Sequence, residues 1–125
     1  MEEVNDRTKW AAFVKKLISQ TIKNKFKWND FKDKTSRNDS LGSIFFAEII
    51  NGKYVVVYRY EYRYYRDEDS YETRQDVAIE LVNSVGNKLW RLPDVGAFGH
   101  ELIDLIQFYE ADAQNTFDDF LSDDA

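Results

Sequence analysis

The stretch from Tyr58 to Asp76, YRYEYRYYRDEDSYETRQD, alternates tyrosine with charged residues over its first half. Such alternation is typical of a β-strand, because successive side chains point to opposite faces of a sheet. The acidic run Asp67-Glu68-Asp69 interrupts the pattern, and alternation resumes from Tyr71. The stretch therefore predicts one long β-hairpin with a tyrosine-bearing face and a charged face.

The charges predict how the two strands align. A four-residue loop over 66–69 places Tyr65 opposite Ser70. This register sets up the cross-strand charge pairs Arg63–Glu72, Glu61–Arg74 and Arg59–Asp76. On the other face it pairs Tyr58 with Val77, Val56 with Ile79 and Tyr54 with Leu81. A shift of one residue would separate the charge pairs, so the agreement of both faces favours this register.

Neighbouring turns extend the hairpin into a sheet. Asn51-Gly52 is typical of a two-residue hairpin turn and places Ile50 opposite Lys53. Continued without interruption, that register sets Ala47 opposite Val56. A later turn around Gly86 leads into LWRLP, where Trp90 and Leu92 join the face that bears Leu81. We expect a four-stranded antiparallel meander over residues 43–92, preceded by a polar loop at 33–40 and a short strand around Phe26–Trp28.

Helical patterns flank this sheet. Residues 6–23 carry apolar side chains at three- and four-residue spacing, including Trp10, Phe13 and Leu17. A second helix is predicted over 99–112 and a short one over 115–122. The chain of 125 residues suffices for one domain, 1–125, and the predicted fold class is α+β with an N-terminal helix, the meander and C-terminal helices.

Composition narrows the function classes. Hydrophobic residues make up 43% and charged residues 32%, which is typical of a globular protein, and aromatics reach 16%. The chain has no cysteine, which excludes disulfides, thiolate nucleophiles and cysteine-ligated zinc. We find neither a signal-peptide pattern nor an apolar run of membrane-spanning length, so we expect a cytoplasmic protein without a membrane partner.

Charge is distributed unevenly along the chain. Residues 1–66 contain 14 Lys and Arg against 8 Asp and Glu, whereas residues 67–125 contain 3 against 15. Either the two halves neutralise each other in the fold or the acidic half faces a cationic partner. The candidate acidic surface comprises Asp67, Glu68, Asp69, Asp118, Asp119, Asp123 and Asp124.

Catalytic and metal-binding motifs are not evident. His100 is the only histidine, and its surroundings, FGHEL, do not resemble a nucleophile elbow or a metal-binding helix. The segment DEDSYETRQD lacks the central glycine of a calcium loop, and VGAFG lacks the Lys-Ser/Thr of a phosphate-binding loop. We therefore expect a protein that is not an enzyme and that has no metal or other cofactor.

The tyrosine face is the most specific feature. Tyr60, Tyr62, Tyr64 and Tyr71 lie towards the predicted hairpin tip, opposite polar residues, and form a candidate interaction face because exposed tyrosines favour protein interfaces. Alternatively, the second helix or the segment 117–121 covers them. Base stacking on these rings beside Arg59 and Arg63 would suit a single-stranded nucleic acid. The net charge of −6 opposes that interpretation.

The layout also resembles small uncharacterised proteins of bacteria and their phages. The features that carry the resemblance are the helix running into Lys27-Trp28, the hairpin with an aromatic strand, and the Asp-rich segment from Asp118 to Leu121. The resemblance implies an α+β fold and a bacterial or phage setting, and it implies no active site. Our first functional hypothesis is a protein–protein interaction module, whose partner is another protein or a second copy. The alternatives are an acidic inhibitor that mimics nucleic-acid phosphates, or a nucleic-acid binder.

Overall fold

The computed structural model describes residues 7–25, 27–30, 40–93 and 96–122. Three helices and five strands make up this part of the chain. They are α1 (Arg7–Ile22), β1 (Asn29–Asp30), β2 (Ser40–Ile50), β3 (Lys53–Asp67), β4 (Ser70–Asn83), β5 (Lys88–Arg91), α2 (Gly96–Glu110) and α3 (Ala113–Ser122). The α+β class and the antiparallel sheet are confirmed. Most of the predicted loop at 33–40 lies outside the described residues, and its last residue, Ser40, begins β2.

The sheet has five strands in the order β1-β2-β3-β4-β5, so the prediction of four strands was wrong. The additional strand consists of Asn29 and Asp30, which pair with Phe46 and Phe45. Two polar residues carry no alternation that could indicate a strand, and the sequence pattern placed the short strand at Phe26–Trp28 instead. The β1 pairing depends on tertiary context, because Trp28 beside it is buried and donates a hydrogen bond from Nε1 to Thr21 Oγ1 of α1.

The register of the long hairpin differs from the prediction by one residue. Asp67 pairs with Ser70 around a two-residue turn, in which the Asp67 carboxylate accepts a hydrogen bond from the Asp69 backbone N–H at 2.9 Å. Arg66 is then an extra residue on β3, and Tyr65 lies opposite Tyr71. Such a bulge places two residues of one strand against one of its partner. The predicted pairs Arg63–Glu72, Glu61–Arg74 and Arg59–Asp76 are therefore wrong. Their observed replacements are Arg63–Thr73, Glu61–Gln75 and Arg59–Val77.

The apolar pairs predicted for this hairpin shift by the same step. Tyr58 lies opposite Ala78, Val56 opposite Glu80 and Tyr54 opposite Val82. As a result, odd-numbered residues of β3 face odd-numbered residues of β4. The slip moves Val77 and Ile79 to the face opposite the tyrosines.

A second bulge changes the register of the first hairpin. The predicted pair Ile50–Lys53 is confirmed, but the register shifts between Glu48 and Ile50, so that Ala47 lies opposite Val55. A two-residue turn that matches the strand twist needs positive φ at both residues or at the first one. Here Gly52 has φ +76° and Asn51 is not among the described residues with positive φ. The bulge accommodates this different turn.

In the observed register, the two faces of the sheet carry separate hydrophobic clusters. On the helix face, which includes Val55, Val57 and Ile79, residues of α1 and α2 complete the main core. Its members Leu102, Ile103 and Ile106 of α2 are 0–1% exposed, and burial of each such side chain contributes about 1.5–3 kcal/mol. On the tyrosine face, a smaller cluster consists of Ile44, Val56, Tyr58, Ala78 and Val82.

Trp90 of β5 joins the face that bears Leu81, as predicted, but that face is the helix face and not the tyrosine face. Trp90 lies opposite Leu81, and its ring packs on Trp10 of α1 with centroids 5.6 Å apart. Leu92 belongs to the main core and donates its backbone N–H to Ile79 O. None of the helices in the described ranges is long and apolar enough for a membrane span.

Candidate interaction site on the projecting hairpin

The outer part of the β3–β4 hairpin, residues 61–75, forms an arm beyond the packed body of the domain. Every residue of the arm is exposed except Glu72, which is half-buried. The pairing of β2 with β3 ends at Tyr60, and that of β5 with β4 ends at Glu80. Among the described residues, the arm is thus a two-stranded ribbon about 20 Å long.

A ladder of tyrosine rings leads from the body into the arm. The Tyr58 and Tyr60 ring centroids are 6.4 Å apart, and those of Tyr60 and Tyr62 are 5.8 Å apart. Exposure rises along the ladder from 3% at Tyr58 to 38% at Tyr62. Arg91 of β5 lies over the Tyr60 ring at 4.5 Å, which anchors the base of the ladder. The ladder therefore continues a buried structure into solvent.

Charged side chains order the tyrosine face of the arm. The Arg74 guanidinium stacks over the Tyr64 ring at 3.5 Å and hydrogen-bonds to Glu72 through Nε at 2.7 Å. Arg66 binds the other Glu72 oxygen at 2.9 Å. These two arginines, Arg74 first, hold the pKa of the Glu72 carboxyl below its usual range. The Tyr64 ring is thereby held flat against a cation while staying 43% exposed.

The opposite face of the arm carries a second aromatic cluster. Tyr65 and Tyr71 lie directly opposite each other, with ring centroids 5.4 Å apart. Arg63 lies over the Tyr71 ring at 4.7 Å. Their exposures are 55% for Tyr65 and 49% for Tyr71. The structure thus brings Tyr60, Tyr62 and Tyr64 together on one face and places Tyr71 on the other.

Sequence reasoning missed Tyr65 as a member of the candidate site. It assigned Tyr65 to the charged face and Tyr71 to the tyrosine face, because the bulge at Arg66 was not recognised. The adjacent pair Tyr64-Tyr65, which breaks the alternation one residue before Arg66, is the only local signal. The arm consequently presents tyrosine and arginine on both of its faces.

The helices lie on the opposite side of the sheet from the tyrosine ladder. α2 joins the core of the helix face, and its Asp104 and Gln107 bind Arg59 at the base of the arm. The Gln107 bond is 2.7 Å long. Since Arg59 alternates with Tyr58 and Tyr60 along β3, these contacts place α2 away from the ladder. The rings of Tyr62, Tyr64, Tyr65 and Tyr71 remain 38–55% exposed.

Comparison of the chain with protein-family models, curated proteins and solved structures found no match. The arm therefore has to be interpreted from its own chemistry. The resemblance to small bacterial and phage proteins stays a prediction.

His100 lies in the first turn of α2, and its Nε2 atom is 3.4 Å from the Asp76 carboxylate at the base of the arm. Both side chains are exposed, at 48% and 42%. Within the described ranges, no group of His, Asp and Glu residues is arranged to hold a metal ion. The pair can bridge the arm to α2, and the expectation of a protein without catalytic activity stays a prediction.

The candidate acidic surface is divided between two elements. Asp67, Glu68 and Asp69 occupy the distal turn of the arm, whereas Asp118 and Asp119 lie on α3. Asp123 and Asp124 lie outside the described residues. Asp118 accepts a hydrogen bond from Gln114 at 3.1 Å. The described acids thus form two separate groups instead of one continuous surface.

Proposed function

We propose that the protein is a non-enzymatic protein–protein interaction module whose arm, residues 61–75, is the contact surface. The observation that carries the proposal is the exposure of Tyr62, Tyr64, Tyr65 and Tyr71 on a ribbon outside both core clusters. Tyrosine is enriched at protein interfaces because a rigid ring offers a large contact area and a hydroxyl that tolerates water.

The contacts within the arm favour tight recognition. Stacking of Arg74 on Tyr64 and of Arg63 on Tyr71 restricts the rings before any partner arrives. Because these rings are already restricted, the arm loses less conformational entropy when it binds a partner. The affinity for a given contact area is therefore higher. The outer edges of the ribbon also offer backbone hydrogen-bonding groups to an extended segment.

The balance of charge on the arm favours a protein over a nucleic acid. Arg63, Arg66 and Arg74 are accompanied by a larger set of acids, Glu61, Asp67, Glu68, Asp69 and Glu72. A nucleic-acid surface needs an excess of cations along the phosphate path. Furthermore, Arg66 and Arg74 are already bound to Glu72. A protein partner with mixed charge fits this surface better.

The proposal is tested by the double variant Tyr62→Ser/Tyr64→Ser in affinity capture and in sedimentation measurements of self-association. We expect any association that uses the arm, with a partner or with a second copy, to weaken at least tenfold. Tyr65→Ser/Tyr71→Ser tests the opposite face of the arm. Tyr109→Ser, an equally exposed tyrosine of α2, is the matched control and should leave binding unchanged.

Thermal unfolding of each variant shows whether the rings belong to the core. Because the arm lies outside both core clusters, the melting temperatures should stay close to that of the wild type. A double variant that unfolds, or one that binds every partner as strongly as the wild type, would contradict the proposal.

A second candidate is the acidic inhibitor. The observation that favours it is that α2, α3 and the turn between them carry only acidic charges besides His100, namely Glu101, Asp104, Glu110, Asp112, Asp118 and Asp119. Binding through these acids should weaken steeply with salt. Capture that persists in the tyrosine variants but is lost at high salt would identify this second function.

A further inference from the structure

α3 is an amphipathic helix whose apolar stripe is uncovered. Ala113, Phe117, Phe120 and Leu121 share one face at helical spacing. Phe117 touches Phe108 of α2 with ring centroids 6.4 Å apart, yet no residue of α3 is buried. Phe120 and Leu121 are 78% and 79% exposed. Isolated helices shorter than about 12–15 residues are marginal in water, so a helix of 10 residues needs a packing partner.

An apolar groove with a lysine at its edge lies elsewhere on the molecule. It lies between α1 and the end of β2, has a volume of about 350 Å³, and is lined by Phe13, Lys16, Leu17, Gln20, Ile49 and Ile50. Ile50 is 65% exposed at its rim. The α1 residues of the groove span about 10 Å and the α3 stripe about 12 Å along their helix axes. One helix face therefore fits the length of the groove.

The charges around the two surfaces are complementary. Between Arg7 and Asn29 every charged residue is a cation: Arg7, Lys9, Lys15, Lys16, Lys23, Lys25 and Lys27. From Leu92 to the end of the chain there is no Lys or Arg. Lys16 stands at the groove, and Asp118 lies beside the apolar stripe of α3. Within the part of the chain that the structure describes, no acid of α3 takes part in an ion pair.

We propose that α3 of one copy docks into the α1–β2 groove of a second copy, and that the same contact is repeated by the two-fold symmetry of a dimer. The apolar stripe covers the groove residues, and the acidic helix lies against the cationic α1. This interface is independent of the arm, since it uses neither of its faces.

The test measures oligomeric state by light scattering after size exclusion and by sedimentation, at protein concentrations up to about 0.1 mM. We expect the wild-type protein to form a dimer. The helix variant Phe120→Ser/Leu121→Ser should raise the dissociation constant by roughly a hundredfold, because the apolar area that the two side chains bury in the dimer is lost. The groove variant Ile50→Glu, which adds an acid beside the docked helix, should do the same. Val85→Ser is the matched control. Val85 is an apolar residue of another turn and is as exposed as Phe120 and Leu121, so this variant should remain dimeric.

Mixing the two disabled variants gives the decisive measurement. The helix variant keeps an intact groove, and the groove variant keeps an intact α3, so a mixture can form one of the two contacts. We expect a heterodimer in the mixture that neither variant forms alone. A monomeric wild-type protein would overturn the proposal. So would a groove variant that still dimerises, because α3 would then pair with α3, or a dimer that only Tyr62→Ser/Tyr64→Ser disrupts.

Discussion

The substitution Tyr58→Phe tests the register on which both faces of the sheet depend. The Tyr58 hydroxyl donates a 2.6 Å hydrogen bond to Glu80 Oε2, and the two residues are 3% and 1% exposed. This bond exists only because β3 and β4 pair even-numbered residues with even-numbered residues. In the register expected from the charge pattern, Tyr58 and Glu80 would point to opposite faces.

The expected cost follows from the removal of one hydroxyl. Phenylalanine keeps the ring and its apolar contacts, and the change removes the hydrogen bond to the Glu80 carboxylate. Such bonds contribute about 1.5–3 kcal/mol to the free energy of unfolding. For a chain of this length the melting temperature should fall by roughly 6–11 °C. Tyr62→Phe, on the same face but exposed, should change the free energy of unfolding by less than about 0.5 kcal/mol.

A double-mutant cycle with Glu80→Leu isolates the interaction. Urea denaturation of the four proteins gives their free energies of unfolding, provided that the denaturant slope is unchanged. In the Glu80→Leu background, Tyr58→Phe should cost less than about 0.5 kcal/mol, because the acceptor is already absent. Equal costs of Tyr58→Phe in both backgrounds would show that the two side chains do not interact, and the observed register would be refuted.

Two further predictions concern the arm and the turns. An NMR titration should give Glu72 a midpoint below the usual value for a glutamate, and Arg74→Gln should raise the pKa towards that value. A midpoint that Arg74→Gln leaves unchanged would contradict the assigned cause. Because the pKa of Glu72 is lowered in the folded state, its contacts with Arg74 and Arg66 stabilise the fold above the ordinary pKa of a glutamate. This stabilisation is lost as the pH falls through the lowered pKa. Gly52→Ala and Gly42→Ala should each lower the free energy of unfolding by about 1–2 kcal/mol, since φ is +76° and +72° and no atom obstructs the added methyl group. Urea denaturation measures the loss, and a neutral substitution would argue against these backbone angles.

The elements could be predicted from the sequence because their signals are periodic and extend over many residues. The apolar spacing of Trp10, Phe13 and Leu17 indicated α1, and the alternation after Tyr54 indicated β3. The two-residue strand β1 could not be predicted in the same way, because it depends on a contact between distant segments. The predicted start of the second helix, residue 99, was late because Gly96 and Gly99 are weak helix formers and carry no apolar pattern.

The register of the two hairpins could not be predicted because a single-residue bulge beside each of their turns shifts it. Each bulge depends on turn geometry, at Gly52 and at the Asp67–Asp69 turn, and not on the pairing energies of the strands. Exposed cross-strand charge pairs contribute only about 0.2–1 kcal/mol each, which is too little to oppose the burial of apolar side chains. With the observed register, Val77 and Ile79 join the helix face and are 3% and 0% exposed. The cost of the lost charge pairs is also reduced, because Arg59 binds Asp104 and Arg74 binds Glu72 instead.

The bulge at Arg66 also determines the chemistry of the arm. Without it, Tyr71 would share a face with Tyr62 and Tyr64, and the other face would carry mainly charge. With it, Tyr65 meets Tyr71 on one face while Tyr64 stacks beneath Arg74 on the other. The two faces therefore offer similar aromatic and cationic groups, and a partner that surrounds the ribbon would contact both faces. If partner binding requires both pairs of tyrosines, the partner contacts both faces of the arm. If Tyr65→Ser/Tyr71→Ser binds normally, the partner contacts only the face that carries the tyrosine ladder.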